Sequence, residues 1–477
     1  MKHDFAVIGA GVSGLTAALI LARNGHRVVL VEKAPRTAPL LRGFSRGGVR
    51  FDTGFHYTGG LDEGGALDAV FRYLGLSEHV TSFPFDEEGF DVFRCVREGF
   101  EFRFPVGCDS IRERLIDAFP GERAAVEAYL RAVRADFDSA PYLNPDAPVD
   151  ANGVFRKIFG PTLKETLDSL TGNDLLKCLL SMHCLLYGVS PSEVPFYHHA
   201  CIAGGYYLSA RGIRGGGRSL AEGFDARLEK LGVDVRCGSG VAGISVDRGG
   251  ELRGVRLEDG TELPCGGVVA TVHPRALLAM LPEGAFRPAD RRRIAELEDT
   301  VPAHMLFSVS DVPVPSLEGR NLFVFPAADG VAELGNGPLE RNPLYVTAAY
   351  GPAMGPPRGF IGIIPSPEGV SKTETVAKME GIVRMSCPEL GGALGHTEGA
   401  TPSTLRHFCN SPCGGLYGVK HRIGQRNPGP MTRLKGLYLA GQAVTAPGVL
   451  GAALSGFMAC GCILGHDRLR EELKGCR

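Results

Sequence analysis

Six residues near the start of the chain, Gly9-Ala10-Gly11-Val12-Ser13-Gly14, leave few folds open to the rest of it. Residues 4–8 before them form a short apolar run, as a buried parallel strand does. After them Leu15, Ala18, Leu19 and Ala22 recur at helical spacing, and Gly25 stands where a helix would stop. Residues 27–31 read as a second buried strand that ends at Glu32, 18 residues past Gly14. Strand, glycine turn, helix, strand and acid, with the acid about 20 residues on, form a dinucleotide-binding βαβ unit. Each part has a physical task. Gly9 makes the tight turn, Gly11 lets a pyrophosphate approach the backbone, and Gly14 lets helix and strand pack closely. The N–H groups at Val12 and Ser13 offer the positive end of a helix to phosphate. Glu32, followed by Lys33, can accept from a ribose. This motif alone does not separate FAD from NAD.

A chain of 477 residues supports two or three domains around a large core. A formal net charge of −2 implies no bulk attraction to nucleic acid, and none is expected as a partner. The 13 cysteines are odd in number and irregularly spaced, which predicts reduced thiols and a cytoplasmic setting. None of the Cys pairs has zinc-site spacing, and the adjacent His198-His199 would point in different directions, so no metal is expected. Residues 436–465 carry no Asp, Glu, Lys, Arg or His. Gly441, Pro447, Gly448 and Gly451 interrupt them, however, and the helical remainder is shorter than the ~20 residues of a membrane span. A buried strand, a glycine loop and a core helix fit this stretch better.

Between these ends, Arg36, Arg42, Arg46 and Arg50 follow Glu32, and Arg42 is a candidate clamp on cofactor phosphates. Phe51-Asp52-Thr53-Gly54-Phe55-His56-Tyr57 reads as a tight turn between buried pieces. Residues 67–186 read as mainly helical. Within them, 175–189 is the most apolar helix, assigned to core in preference to a membrane surface because few basic residues flank it. Gly215-Gly216-Gly217 leads into a helix over 218–231. Short strands follow at 233–237, 241–246, 252–257 and 267–272. Residues 274–430 read as strand-rich, with helices at 291–298 and 373–385.

Taken together these segments resemble the FAD-dependent carotenoid desaturase and isomerase superfamily, phytoene desaturase-like, and within it retinol saturases and their bacterial relatives. The likeness is carried by the N-terminal fingerprint with Glu32, by Phe51 to Gly54 with His56-Tyr57, and by Gly215 to Gly217. It continues in Val241-Ala242-Gly243-Ile244, in Thr401-Pro402 with Gly415 to Gly418, and in Gly436 to Gln442 with Gly448 to Ala453. Residues 76–200 and 276–395 carry little that matches. The resemblance implies an α/β fold with a Rossmann-type, glutathione-reductase-like FAD-binding domain built from 1–75, 205–275 and 430–477. A mainly helical cap over 76–204, with a membrane-contact region, and a sheet-based substrate domain over 276–429 complete it. It further implies that Val241 and Ala242 offer backbone to the adenine and that Gly441, with Gln442, lies near the ribityl phosphate. Gly448, Leu450 and Gly451 would face the flavin ring, where a helix start favours the anionic reduced form.

The expected reaction is FAD-dependent saturation or desaturation of a lipophilic polyene or isoprenoid. Saturating a C=C bond needs a hydride on one carbon and a proton on the other. His56 and Tyr57 are the candidate proton donors, with Tyr417 and His421 ranked behind them. No nicotinamide fingerprint appears beyond the FAD motif, so electrons would come from transiently bound NAD(P)H or a separate protein. Peripheral contact with the inner face of a membrane would serve to collect the substrate. Three alternatives stand beside this reading: a redox-neutral polyene isomerase, a flavin amine oxidase, and an FAD-loaded carrier of lipid without turnover.

Overall fold

The computed structural model describes residues 3–148, 159–349 and 356–477. Its first layer is a five-stranded parallel sheet in the order Leu437–Leu439, Gly267–Ala270, Phe5–Ile8, Val28–Glu32, Asp234–Cys237. The expected strand at 267–272 thus ends at Ala270, and Thr271 turns out to hydrogen-bond the carbonyl of Ile8. All five strands come from the segments 1–75, 205–275 and 430–477. Alternate residues feed opposite faces. Val7, Val28, Leu30 and Val269 pack under helices Val12–Arg23, Gly216–Lys230 and Gly448–Leu464. Ala6, Ile8, Val29 and Val31 pack against a small antiparallel sheet of Val241–Val246, Leu252–Leu257 and Glu262–Pro264. Burial on both faces is why these strands are apolar without alternation. The first and last of the three helices meet at small residues: a Cβ on Gly456 would lie 2.9 Å from the carbonyl oxygen of Ser13. The C-terminal stretch is the strand, glycine loop and core helix expected. No helix among the described residues is long and apolar enough to cross a membrane.

The second layer is a seven-stranded sheet in the order His396–Ala400, Ala303–Val309, Gly359–Pro365, Leu344–Ala348, Asn321–Phe325, Asp91–Cys95, Phe100–Phe104. Its pairings are antiparallel except that of Asn321–Phe325 with Asp91–Cys95, which is parallel. One face packs on helix Lys372–Ser386 through Leu306, Val346 and Ile364. The other, through Phe323, Tyr345 and Ile361, packs on the helical region that contains Tyr129, Leu176 and Leu179.

Two expectations need refinement here. Residues 67–186 are mainly helical among the described residues, as expected, but they also contain strands Ser82–Pro84, Asp91–Cys95 and Phe100–Phe104, and the last two belong to the second sheet. Phe100, Phe102 and Phe104 alternate with the exposed Glu101 and Arg103, which is the period of a strand. The apolar helix expected over 175–189 is also shorter. It runs Asp174–Ser181, with the Asn173 side chain accepting from the Leu176 N–H, and then tightens into a 3₁₀ turn, Met182–Leu186. It lies in the core, with Leu176, Cys178, Leu179 and Leu180 buried.

Candidate active site

The dinucleotide turn has the geometry its glycines predict. Gly9 adopts φ +96°, a conformation that L side chains rarely take. A Cβ on Gly14 would sit 1.9 Å from the Gly9 carbonyl oxygen, so no other residue permits this helix-to-strand contact. Gly11 differs. Its backbone is extended (φ −73°, ψ 176°), and a Cβ there would meet nothing within 4 Å. The space above Gly11 is open, and no side chain caps the helix that starts at Val12 and Ser13. The helix N-terminus therefore presents unsatisfied N–H groups to an anion.

Glu32 reaches back across this turn. Its carboxylate accepts from the Ala10 N–H at 2.7 Å and from the Ala34 N–H at 2.8 Å. Each oxygen keeps a further lone pair for a ribose hydroxyl. Lys33 points outward toward Glu258 at 3.5 Å. Arg42 departs from the expected phosphate clamp: its guanidinium pairs with Asp225 and donates to the Thr37 carbonyl at 2.8 Å. That commitment makes Arg42 a brace between the loop and helix Gly216–Lys230. Val241 and Ala242 open the small antiparallel sheet, where a register shift between Val241 and Gly243 takes Ala242 out of the ladder.

The C-terminal segment supplies the other end. Gly441, at φ +118°, donates its N–H to Ser455 Oγ at 2.7 Å, and the Gln442 carbonyl accepts from His421 Nε2 at 2.7 Å. Gly448 has φ +81° with open space above it, and no side chain caps the helix it begins. Gly448, Leu450 and Gly451 border a cavity of about 680 Å³ whose wall also includes Tyr345 and Ile363 of the second sheet. An extended dinucleotide fits these residues: an open glycine cradle and acid at one end, an uncapped helix start beside a cavity at the other. The sequence motifs sit more than 400 residues apart, and the sheet order brings their strands together with only Gly267–Ala270 between them.

His56 and Tyr57 form part of the same cavity wall. Burial pushes the His56 pKa down to about 4, so the ring is neutral near pH 7. Its buried Nδ1 has no partner, which leaves Nε2 as the nitrogen able to meet a bound molecule. Tyr57 is held by rings, Phe85 stacked at 5.4 Å and Tyr206 at 4.7 Å. Its hydroxyl donates to Asp91 Oδ2 at 2.8 Å, and burial together with that carboxylate raises its pKa well above the usual phenol value. Tyr417 and His421 also line the cavity. Tyr417 donates to the Leu185 carbonyl at 3.1 Å. His421 stacks on His198 with centroids 4.6 Å apart, and burial lowers the pKa of both rings. The two adjacent histidines do face different ways: His198 borders the cavity, while His199 lies in the core between tyrosines.

Asp52 explains the triple glycine. Its Oδ1 accepts from the Gly217 N–H at 3.2 Å, and a Cβ on Gly216 would collide with its other oxygen. Burial raises the Asp52 pKa to about 7, opposed by Arg50 and by that N–H. Sequence reasoning missed Asp91, His183 and Asn321, which meet behind Tyr57. Asp91 Oδ2 also accepts from His183 Nε2 at 3.0 Å, and Oδ1 accepts from Asn321 Nδ2 at 2.8 Å. Nothing in their neighbourhood along the chain marks them, since the cluster unites four separate segments.

A parallel dinucleotide sheet, a second sheet roofing a cavity and a helix start aimed at that cavity define a flavin-dependent oxidoreductase, and the cofactor is FAD. The chain belongs to the flavin containing amine oxidoreductase family, whose model matches residues 12–341. Over 99% of its length it is 25% identical to human all-trans-retinol 13,14-reductase, covering 87% of that protein. It is 27% identical to the hydroxyneurosporene desaturase of Rubrivivax gelatinosus, over 97% of this chain and 94% of the relative. A crystal structure of an oxidoreductase from Methanosarcina mazei shares the fold, with a TM-score of 0.67 at 17% identity, covering 95% of this chain and 98% of that one.

Proposed function

We propose that this protein reduces a conjugated C=C bond of a lipophilic polyene or isoprenoid. The observation that carries the reading is the chemistry of the cavity wall. Tyr57, Tyr206, Tyr345 and Tyr417 alternate with aliphatic side chains, and no Asp or Glu is among the described lining residues. An ammonium substrate would find no carboxylate among the described lining residues to pair with. An apolar chain loses nothing by entering. The likeness to a retinol reductase and a carotenoid desaturase supports the same substrate class.

FAD, when bound, supplies the hydride chemistry, and this chain's residues supply placement, dryness and a proton. Gly9 to Gly14 and Glu32 would hold the dinucleotide end. Gly441, Gln442, Gly448, Leu450 and Gly451 would hold the end that borders the cavity. The aromatic wall orients the polyene and excludes water. Tyr57 is the proton donor, and neutral His56 holds a hydrogen bond to the substrate or its polar end through Nε2. The electron source is NAD(P)H bound transiently or a separate protein, and substrate is collected by peripheral contact with a membrane. The test is anaerobic. Holoprotein is reduced, a panel of retinoids, carotenoids and isoprenoid quinones is added, and flavin reoxidation is followed together with product mass. A gain of two hydrogens supports saturation. Unchanged mass with the flavin still reduced supports an isomerase, and reoxidation by amines alone supports an amine oxidase.

A further inference from the structure

The cavity is long as well as apolar, and helix Gly448–Leu464 gives its length. Leu450, Leu454 and Met458, spaced four residues apart, put one face of this helix on the cavity. Among the described residues Met458 is the last of the helix to border it. Beyond the helix the wall passes to His466 and to Tyr142, which comes from another segment. Tyr142 Oη and His466 Nδ1 share one hydrogen bond of 2.7 Å. The two stand over Gly461, where a Cβ would lie 2.7 Å from Tyr142 Oη and closer still to His466 Nδ1. Gly461 follows Gly448 by 13 residues, so roughly 20 Å along the helix axis separate the helix start from this pair.

The pair is held from behind. The loop that carries Tyr142 is tied to helix His466–Lys474. Arg470 of that helix donates to the Pro145 carbonyl at 2.7 Å and to the Pro141 carbonyl at 3.3 Å, and Lys474 pairs with Asp146. Tyr142 is itself buried, with its ring 6.2 Å from that of Phe457. His466 Nε2 meets Cys462 Sγ at 3.6 Å. The polar atoms of the pair are thus engaged with protein neighbours. Burial lowers the His466 pKa, so the wall meets an approaching chain with bulk and not with charge.

We propose that Tyr142 and His466 are the stop of a substrate tunnel. They set how much chain fits beyond the helix start, and therefore which chain length the site selects and which C=C bond it presents for reaction. An extended carbon chain with bonds near 1.5 Å advances roughly 1.25 Å per bond, so the roughly 20 Å of tunnel hold roughly 16 main-chain carbons. That is the main chain of roughly four isoprene units. The chain enters hydrocarbon end first, halts against the pair, and trails its polar end behind. The bond that reacts is then a fixed number of carbons from the buried terminus. The stop rests on the shape of the cavity; the register it imposes on the reaction rests on the functional reading above. Tyr142 and His466 are specificity residues and take no part in the chemistry.

The experiment has two arms on FAD-loaded protein. In the first, equilibrium binding of tritiated geraniol, farnesol, geranylgeraniol, geranylfarnesol and solanesol to the oxidised protein is measured. Affinity should rise at least five-fold per added isoprene unit up to geranylgeraniol and then level off, because further units stay outside the tunnel. Tyr142→Ala should carry the rise on to geranylfarnesol, whereas Tyr142→Phe keeps the bulk and should keep the wild-type limit. Met458→Phe fills the tunnel before the stop and should bring the limit down to farnesol; it decides alone if Tyr142→Ala does not fold. A rise that continues to solanesol in the wild type overturns the stop, as does an unchanged limit in either folded, FAD-loaded variant. Binding of no prenol overturns the stop and the functional reading together. In the second arm, reduced protein is given a retinoid or carotenoid that the wild type reduces, and the added hydrogens are located by mass fragmentation. Tyr142→Ala should move the reduced bond at least one C=C further from the buried terminus; an unchanged position overturns the register. A wild type that binds prenols but reduces no polyene overturns the functional reading, while the binding arm still decides the stop.

Discussion

Gly11 and Gly14 lie three residues apart in one motif, yet alanine at the two positions should fail in opposite ways. A Cβ on Gly14 would sit 1.9 Å from the Gly9 carbonyl oxygen and 3.2 Å from Thr271 Oγ1. Ordinary contact begins near 3.4 Å, so helix Val12–Arg23 would have to withdraw from the strand end by more than 1 Å. Its far side cannot yield, because Gly456 already brings helix Gly448–Leu464 against Ser13 and Thr16. Overpacking costs about 1–3 kcal/mol when side chains can adjust, and here the obstacle is backbone. Gly14→Ala should therefore lose about 3 kcal/mol or more of apoprotein stability. Gly11→Ala places its methyl in open space, on a backbone that alanine adopts without strain. Its apoprotein should be unchanged or gain about 0.4–1 kcal/mol from a less flexible unfolded chain. The same methyl takes the volume of the pyrophosphate, so FAD affinity should fall by about 10–100-fold, or about 1.4–2.7 kcal/mol. Urea unfolding of the apoproteins and fluorescence titration with FAD measure the two effects separately. A Gly14→Ala protein with the wild-type midpoint, or a Gly11→Ala protein that binds FAD as tightly as wild type, would refute the placement of the turn.

Further expectations concern other parts of the molecule. Glu32→Ala should weaken FAD binding by about 1–3 kcal/mol and also lower apoprotein stability, because the Ala10 and Ala34 N–H groups lose their acceptor; Glu32→Gln, which keeps one acceptor oxygen, should lose less stability than affinity. Asp52 and His56 should tilt the pH dependence of stability in opposite directions. The Asp52 pKa is raised to about 7, so its contribution is complete below the unfolded value near 4 and is lost as pH rises to 7, at most about 4 kcal/mol. The His56 pKa is lowered to about 4, so its contribution is complete above about 6.5 and is lost as pH falls to 4, at most about 3 kcal/mol. Between pH 4.5 and 6.5, apoprotein unfolding free energy should rise more steeply with pH in Asp52→Asn than in wild type, and less steeply in His56→Gln; unchanged slopes would contradict these environments. Finally, high salt or carbonate should release the protein from membranes, and a strict need for detergent would argue for an anchor that the described helices lack.

The sequence alone was informative wherever a local rule decides the outcome. The glycine spacing, the apolar strands and the acid at 32 are recognisable because turn geometry, helix N-terminal charge and two-sided burial act over a few residues. The uncharged C-terminal stretch was legible for the same reason, since Pro447 and Gly448 interrupt it locally. Strands Asp91–Cys95 and Phe100–Phe104 were legible in principle from the alternation of Phe100, Phe102 and Phe104, but their place beside Asn321–Phe325 was not. Partners were the harder matter. Arg42 reads as a phosphate clamp until folding puts Asp225, 183 residues away, against its guanidinium. Tyr57 reads as a candidate proton donor with no known partner until folding sets Asp91 against its hydroxyl, with His183 and Asn321 on the same carboxylate. Hydrogen bonds and charge pairs act over a few ångströms in space, whatever the separation along the chain. The glycine turns, which are local, were therefore written in the sequence, and the hydrogen-bonded surroundings of Tyr57, built from long-range contacts, were decided by tertiary packing.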